Sequence, residues 1–440
     1  MYHMSALEST PVEEIVRVNP MSDTTAVNHF HHIEFYCGDA TNTYKRFLVG
    51  LGMELISKSD QSTGNTLHAS YVLQSGEMNM IFTAPYSSTV GRNEAINDIQ
   101  INSETGTLVS PKDFGDFNLP FPGFDKEKCS DFFNKHGFGV KCIAVEVSNV
   151  YESYEVMIKN GAISCVPATK IIDRDEALGS MDYAEIKLYG DVSLRLINSK
   201  NYKGQFLPNF KDIKSEKKRK FDYGVQKFDH IVGNLWTLQP TMQHIQNITG
   251  FHKFAEFTAD VVGTVDSGLT SVVLANNNER VLLPLNEPTY GTKRKSQIQT
   301  YLEQNNGEGV QHMALFTPDI FTTMKQMREA SEYGGFEFMD RQKDRYYDNL
   351  PKRLGDSLTE YQYKMVRELG LLADEDDQGV LLQVFTKPIG DRPTLFLEII
   401  QRIGCLQEDG TQRGGCGGFG KGNFKDLFQS IEDYEKTLKI

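Results

Sequence analysis

Three residues of this 440-residue chain, His230, His312 and Glu398, are of types that together can hold a metal ion. Each stands inside a short apolar run of β character: Phe228-Asp229-His230-Ile231-Val232, Val310-Gln311-His312-Met313-Ala314-Leu315 and Leu395-Phe396-Leu397-Glu398-Ile399-Ile400-Gln401-Arg402. A carboxylate in such surroundings is costly unless something pairs it. Two imidazoles and one carboxylate can all turn lone pairs toward one divalent cation, leaving coordination positions open, as in non-haem Fe(II) oxygenases. Zinc hydrolases also use two His and a Glu, but on an H-E-x-x-H helix that this sequence lacks. The three residues are 82 and 86 positions apart, so only the tertiary fold can join them. Taken singly, a histidine in an apolar strand is more often a satisfied core residue, and Glu398 could face water at a strand edge.

The elements that must position these residues repeat. Phe228-Asp229-His230-Ile231-Val232 echoes Phe30-His31-His32-Ile33-Glu34, and Val310–Leu315 echoes Val140-Lys141-Cys142-Ile143-Ala144-Val145. Leu395–Ile399 echoes Val192-Ser193-Leu194-Arg195-Leu196. The chain therefore reads as two homologous halves, each with two strand–helix–strands modules. The first half carries His32, Cys142 and Arg195 at the three marked positions. A guanidinium stays charged and repels a cation, so the first half is expected to hold no metal. Strand alternation predicts that His230 shares its face with Phe228 and Val232, His312 with Val310 and Ala314, and Glu398 with Phe396 and Ile400. Further strands are predicted over 30–36, 67–74, 78–84, 139–147, 163–172 and 182–197, with helices over 40–48, 125–136, 150–159 and 320–330.

Composition narrows the function classes. Apolar residues make up 39% and charged residues 24%, as in a soluble globular protein, and the length suggests two domains. A net charge of −13 disfavours nucleic acid and anionic lipid as partners. No apolar run is long enough for a membrane span, and the first 25 residues do not read as a secretory signal. The six cysteines (37, 129, 142, 165, 405 and 416) form no C-x-x-C pair, which predicts free thiols and a cytoplasmic enzyme. The basic run Lys217-Lys218-Arg219-Lys220 reads as part of a solvated linker.

Other motifs join the three candidate ligands: Gly291-Thr292-Lys293-Arg294-Lys295-Ser296-Gln297-Ile298-Gln299-Thr300, Leu381-Leu382-Gln383-Val384-Phe385-Thr386-Lys387-Pro388 and the glycine-rich stretch from Gly414 to Phe424. Together they resemble the 4-hydroxyphenylpyruvate dioxygenase family, plant type, from about Phe30 to the C-terminus and most densely over 225–440. The resemblance implies an α+β fold of the vicinal-oxygen-chelate (glyoxalase-like) kind: two tandem open β-barrels built from four βαβββ modules, plus a C-terminal helix. It divides the chain into an irregular segment 1–27, a barrel without metal over 28–208, a linker 209–224 and a catalytic barrel over 225–440 with a lid helix 423–438. It implies Fe(II) on His230, His312 and Glu398, and conversion of 4-hydroxyphenylpyruvate and O₂ to homogentisate and CO₂ in tyrosine and phenylalanine catabolism. In plant-type members the product also feeds plastoquinone and tocopherol synthesis. Because the α-keto acid belongs to the substrate, no separate 2-oxoglutarate is needed.

By the same resemblance Phe385 and Phe424 should sandwich the substrate ring, while Gln297, Gln311 and Gln383, with Ser271, Asn286 and Phe419, line its site. Side-chain amides can hydrogen-bond a phenol without placing charge beside the iron. Phe396 is expected to pack in the core instead. The partners implied are the small-molecule substrate and O₂, with no nucleic acid and no membrane, and a homodimer is expected.

Gly415-x-Gly417-x-x-Gly420 imitates a dinucleotide fingerprint, and Gly415-x₄-Gly420-Lys421 imitates a phosphate loop. Both need a preceding strand, and here a polar loop, Glu408 to Arg413, precedes; Gly422 also stands where a magnesium-holding Ser or Thr belongs, so nucleotide binding is rejected. Phe424, Leu427, Phe428, Ile431, Tyr434 and Leu438 fall on one helical face, which suits either a moving lid or a permanently packed helix. The rival functions are 4-hydroxymandelate synthase, an extradiol catechol dioxygenase and a metal-free glyoxalase-fold binding protein.

Overall fold

Runs of alternating apolar residues followed by capped amphipathic helices recur four times, and each recurrence folds as one module. The structure is a computed structural model that describes residues 18–87, 100–101, 108–109, 120–214, 221–258, 268–408 and 410–438. Each half curls a single large sheet. In the first half the strands lie in the order Lys211–Asp212, Glu54–Ser59, His68–Ser75, Met78–Pro85, Val27–Tyr36, Gly139–Val147, Val192–Asn198, Ser180–Tyr189 and Ser164–Ile172. In the second half the order is His252–Phe257, Leu269–Ala275, Leu282–Pro288, Lys227–Asn234, Gly309–Phe316, Phe396–Gly404, Gly379–Phe385 and Leu372–Glu375.

The pairing repeats too. The strand that opens each module lies parallel to the strand that closes it. The two opening strands of each half pair antiparallel at its centre, Val27–Tyr36 with Gly139–Val147 and Lys227–Asn234 with Gly309–Phe316. This is the βαβββ arrangement expected. Local chemistry sets the helix ends. Asp39 accepts the Asn42 amide at the start of Ala40–Leu51, and Gly52, at φ 65°, ends that helix in a left-handed turn that a Cβ would disfavour. Leu238–Thr249 ends the same way on Gly250, at φ 78°. Helices Ala40–Leu51 and Ile320–Ser331 of the two halves pack on one another, and Phe47 stands edge-on at 4.9 Å to Phe336, just past the second helix, so a single apolar cluster runs through both.

Several expectations need correction. The strand expected over 182–197 is a hairpin, Ser180–Tyr189 and Val192–Asn198, turned at Gly190 with φ 51°. Glu54–Ser59 is a strand that the sequence does not announce, because its short run mixes Lys and Ser with two apolar residues. Helices Asp344–Leu354 and Glu360–Glu368, not expected from the sequence, lengthen the fourth module; their composition is strongly polar and the first contains Pro351, yet Tyr346, Tyr347, Leu350 and Leu354 give it one buried face. Cys405 and Cys416 are joined in a disulfide, so the expectation of six free thiols fails for these two; Cys37, Cys129, Cys142 and Cys165 are free. The basic run at 217–220 lies outside the described residues. Among the described residues no helix is long and apolar enough to cross a membrane.

Candidate active site

The three singled-out residues meet inside the second sheet. His230 and Glu398 are both opposite Ala314, on the strands flanking Gly309–Phe316, the strand that carries His312. His230 Nε2 lies 3.1 Å and His312 Nε2 3.4 Å from Glu398 Oε2, and the donor atoms of all three fall within 4.8 Å of one another. Two donors at right angles around an ion, each ~2.1 Å from it, would be ~3 Å apart. The spacing therefore fits one ion with the three donors on one side of it.

Two β-bulges aim the histidines. The register between Lys227–Asn234 and Gly309–Phe316 slips between Phe228 and His230, and again between Val232 and Gly233. Such slips bring the residue before each histidine round to the same side as the ring. Asp229 Oδ1 thus accepts from His230 Nδ1 at 2.8 Å, and Gln311 Oε1 accepts from His312 Nδ1 at 3.0 Å. With Nδ1 engaged as a donor, each ring turns its Nε2 toward the interior. The same bulges overturn two face assignments: Phe228 and Val310 pack in the main core, away from the ligands, because one extra residue reverses the alternation.

The buried charges of the centre shift one another. Burial would depress His230, but Glu398 and Asp229 outweigh it and hold the ring's pKa up to about 9. Burial would raise Glu398, yet His230 and His312 draw it down to about 2. His312 is lowered by burial despite Glu398. The donor set is thus an anion-rich pocket in which a proton on His230 stands where a metal could supply positive charge.

Beside the three donors lies a cavity walled mainly by apolar and amide side chains. Its wall includes Ser271, Asn286, Gln297, Gln311, Phe385, Phe419 and Phe424, seven of the eight lining residues expected from the sequence. Gln383 is the exception: it is buried behind Gly420, where an added Cβ would come within 2.4 Å of Gln383 Nε2. Phe396, expected only in the core, does both, stacking on His312 at 4.8 Å while facing the cavity. Gln297 Oε1 is buried with no hydrogen-bond partner in a residue of the cavity wall, and Gln383 Oε1 is likewise unpartnered behind Gly420. Asn286 is engaged, donating to Asn234 Oδ1 at 3.2 Å.

The helix Phe424–Leu438 closes the cavity with Phe424, Leu427, Phe428 and Ile431. It is tied down by Arg294, which donates to the Glu432 carboxylate at 3.1 Å and to its carbonyl at 2.8 Å. Gln342 adds a bond to Ser430 at 2.6 Å. The sequence reading missed Asp229 and Arg402, which hold His230 from behind; an acid directly preceding a ligand histidine was the one available signal.

No protein-family model matches the chain. Among curated proteins it is 51% identical to a 4-hydroxyphenylpyruvate dioxygenase of Arabidopsis thaliana, over 97% of this chain and 92% of that protein. It is 51% identical to the enzyme of that name from Daucus carota, over 96% and 91%. Among solved structures, a variant of 4-hydroxymandelate synthase from Streptomyces coelicolor superimposes with a TM-score of 0.71 at 20% identity, covering 93% of this chain and 99% of that one. At that identity the structural likeness speaks for the shared fold alone.

Proposed function

The chain belongs to the 4-hydroxyphenylpyruvate dioxygenase family, and on that premise we propose that His230, His312 and Glu398 hold one Fe(II) at the head of the cavity in the second half, 225–440. The enzyme is an oxidoreductase that converts 4-hydroxyphenylpyruvate and O₂ into homogentisate and CO₂. Bound iron supplies the redox chemistry through which O₂ reacts with the substrate. The chain's own residues bind, orient and exclude water.

Phe385 and Phe424 flank the substrate ring and set its plane, helped by Phe396 and Phe419. Gln297, with its unpartnered Oε1 on the cavity wall, accepts the phenol hydroxyl; Gln311 and Asn286 stiffen the wall through bonds they already make. Gln383 acts from behind Gly420, and Ser271 completes the polar side of the wall. Leu427, Phe428 and Ile431 of the C-terminal helix keep bulk water out, which strengthens every polar contact inside. The homodimer, expected with the resemblance and checked by light scattering, and the cytoplasmic location, expected from the scattered cysteines of which four are free and checked by fractionation, belong to the same proposal.

One observation carries the assignment: three donors from strands far apart in sequence converge within 4.8 Å beside a buried, aromatic-lined cavity. The test is anaerobic Fe(II) titration of the purified protein, followed by 4-hydroxyphenylpyruvate and air, with product identification. One equivalent of iron and homogentisate are expected. 4-Hydroxymandelate as the product, or no iron uptake, would defeat the proposal.

A further inference from the structure

Behind the donor set lies a second charged group that the proposed chemistry leaves unused. Arg402 sits on the same strand face as Glu398, four residues on, with a side chain only 2% exposed. Its Nε donates to Asp229 Oδ2 at 2.8 Å and its Nη2 to Asp229 Oδ1 at 2.6 Å, a two-point grip on a carboxylate that is 8% exposed. Asp229 Oδ1 is also the acceptor for His230 Nδ1. Arg402 Nη1 donates to the carbonyls of Gly418, at 2.7 Å, and Cys416. Its guanidinium lies 5.6 Å over the Phe419 ring, which in turn stands edge-on to His230 at 5.1 Å. One arginine therefore reaches the same imidazole twice, through Asp229 and through Phe419, while its remaining donors hold the glycine-rich stretch that leads into the C-terminal helix.

The first half lacks this device. By strand register Asp229 corresponds to His31 and Arg402 to Ser199; His31 faces His32, and Ser199 bonds to Glu146. Among the described residues the clamp stands only beside the donor histidine His230.

We propose that Asp229 and Arg402 are positioning residues for His230, fixing its ring orientation and tying it to the backbone of 416–418. This rests on the metal reading above. A planar, five-donor guanidinium can grip Asp229 at two points and still reach two carbonyls, which an ammonium cannot. The carboxylate in turn fixes the tautomer that leaves Nε2 unprotonated for a metal.

The test is anaerobic titration of the metal-free, full-length protein with Co(II) alone, followed by its visible absorption, so the readout does not depend on turnover. Asp229→Asn alone would strand a buried Arg402, so the principal variant is the charge-neutral pair Asp229→Asn with Arg402→Gln, and Arg402→Lys is the milder one. The pair is expected to weaken Co(II) binding by roughly 10–100-fold and to alter the absorption bands. Arg402→Lys is expected to weaken it less, in a protein that stays folded. Wild-type affinity and spectrum in both variants would overturn the positioning role alone. A wild-type protein that takes up no Co(II) would instead overturn the metal reading beneath it. If the double variant does not fold, Arg402→Lys decides: an unchanged dissociation constant and spectrum refute the clamp.

Discussion

His32 and His230 occupy the same place in two copies of one sheet, yet their surroundings are electrically opposite. Each is opposite an alanine of the neighbouring strand, Ala144 or Ala314, and the same alanine faces Arg195 in one half and Glu398 in the other. In the first half the guanidinium of Arg195 fills the centre. It donates to Glu34 at 2.6 Å and to Glu185 at 3.1 Å, lies 2.8 Å from His32 Nε2, and is covered by the Phe121 ring at 4.6 Å. In the second half Val232 and Phe385 stand in register where Glu34 and Glu185 stand in the first. The first half thus carries its cation covalently, with two carboxylates to balance it. The second has a donor set at its centre, and its buried guanidinium, Arg402, stands behind that set on Asp229.

The two histidines report the contrast. Burial, His31 and Arg195 push His32 far below its ordinary range, whereas Glu398 and Asp229 overcome burial and hold His230 up to about 9. The interiors differ likewise. Phe121, Phe206, Phe210 and Tyr183 cluster in the first half, while the second keeps its cavity. A common backbone can therefore be a filled structural domain or a reaction chamber, depending on one charge and its neighbours.

The contrast can be broken at either end. Glu398→Ala should have the largest effect, removing the carboxylate from the donor set. Iron uptake should fall by more than the ~10–100-fold typical of losing a neighbouring partner, and homogentisate should become undetectable by chromatography. Arg195→Ala should strand Glu34 and Glu185 as buried, unpaired carboxylates, lowering stability by about 3–5 kcal/mol in denaturant unfolding. Protein that stays folded should keep wild-type iron affinity.

A pH series sharpens the comparison. A metal must displace the proton that His230 holds up to about 9, so affinity should rise with pH toward that value. It should fall by roughly tenfold per unit below it, seen in anaerobic titrations. His32, already neutral, should add nothing to that slope. The smallest change is expected from replacing the whole first-half cluster by apolar residues of similar volume, Arg195→Met, Glu34→Leu and Glu185→Leu. Replacing a buried ionic group together with its partners is often neutral or stabilising by about 1–4 kcal/mol, so unfolding midpoints should hold or rise.

Much of this was legible in the chain before folding. The internal echo locates the modules, and Arg195 at the place of Glu398 identifies the half without a metal, because residue type alone decides whether a group can give a lone pair to a cation. The amphipathic spacing of Phe424, Leu427, Phe428 and Ile431 marks the helix that closes the cavity. What the sequence could not show is where alternation breaks. Strand period predicts that Asp229 and Gln311 point away from their histidines. Bulges, which arise from how neighbouring strands register, bring them alongside.

Arg402 is hidden for the same reason, since its acceptors at 229, 416 and 418 belong to different parts of the chain. Gln383 lies behind the wall it was expected to line and Phe396 reaches the cavity as well as the core, because a residue's distance from a cavity depends on what packs behind it. Residue chemistry and periodicity are local and can be read along a line. Register, bulges and the meeting of strands depend on the closure of the whole sheet, and only the folded molecule decides them.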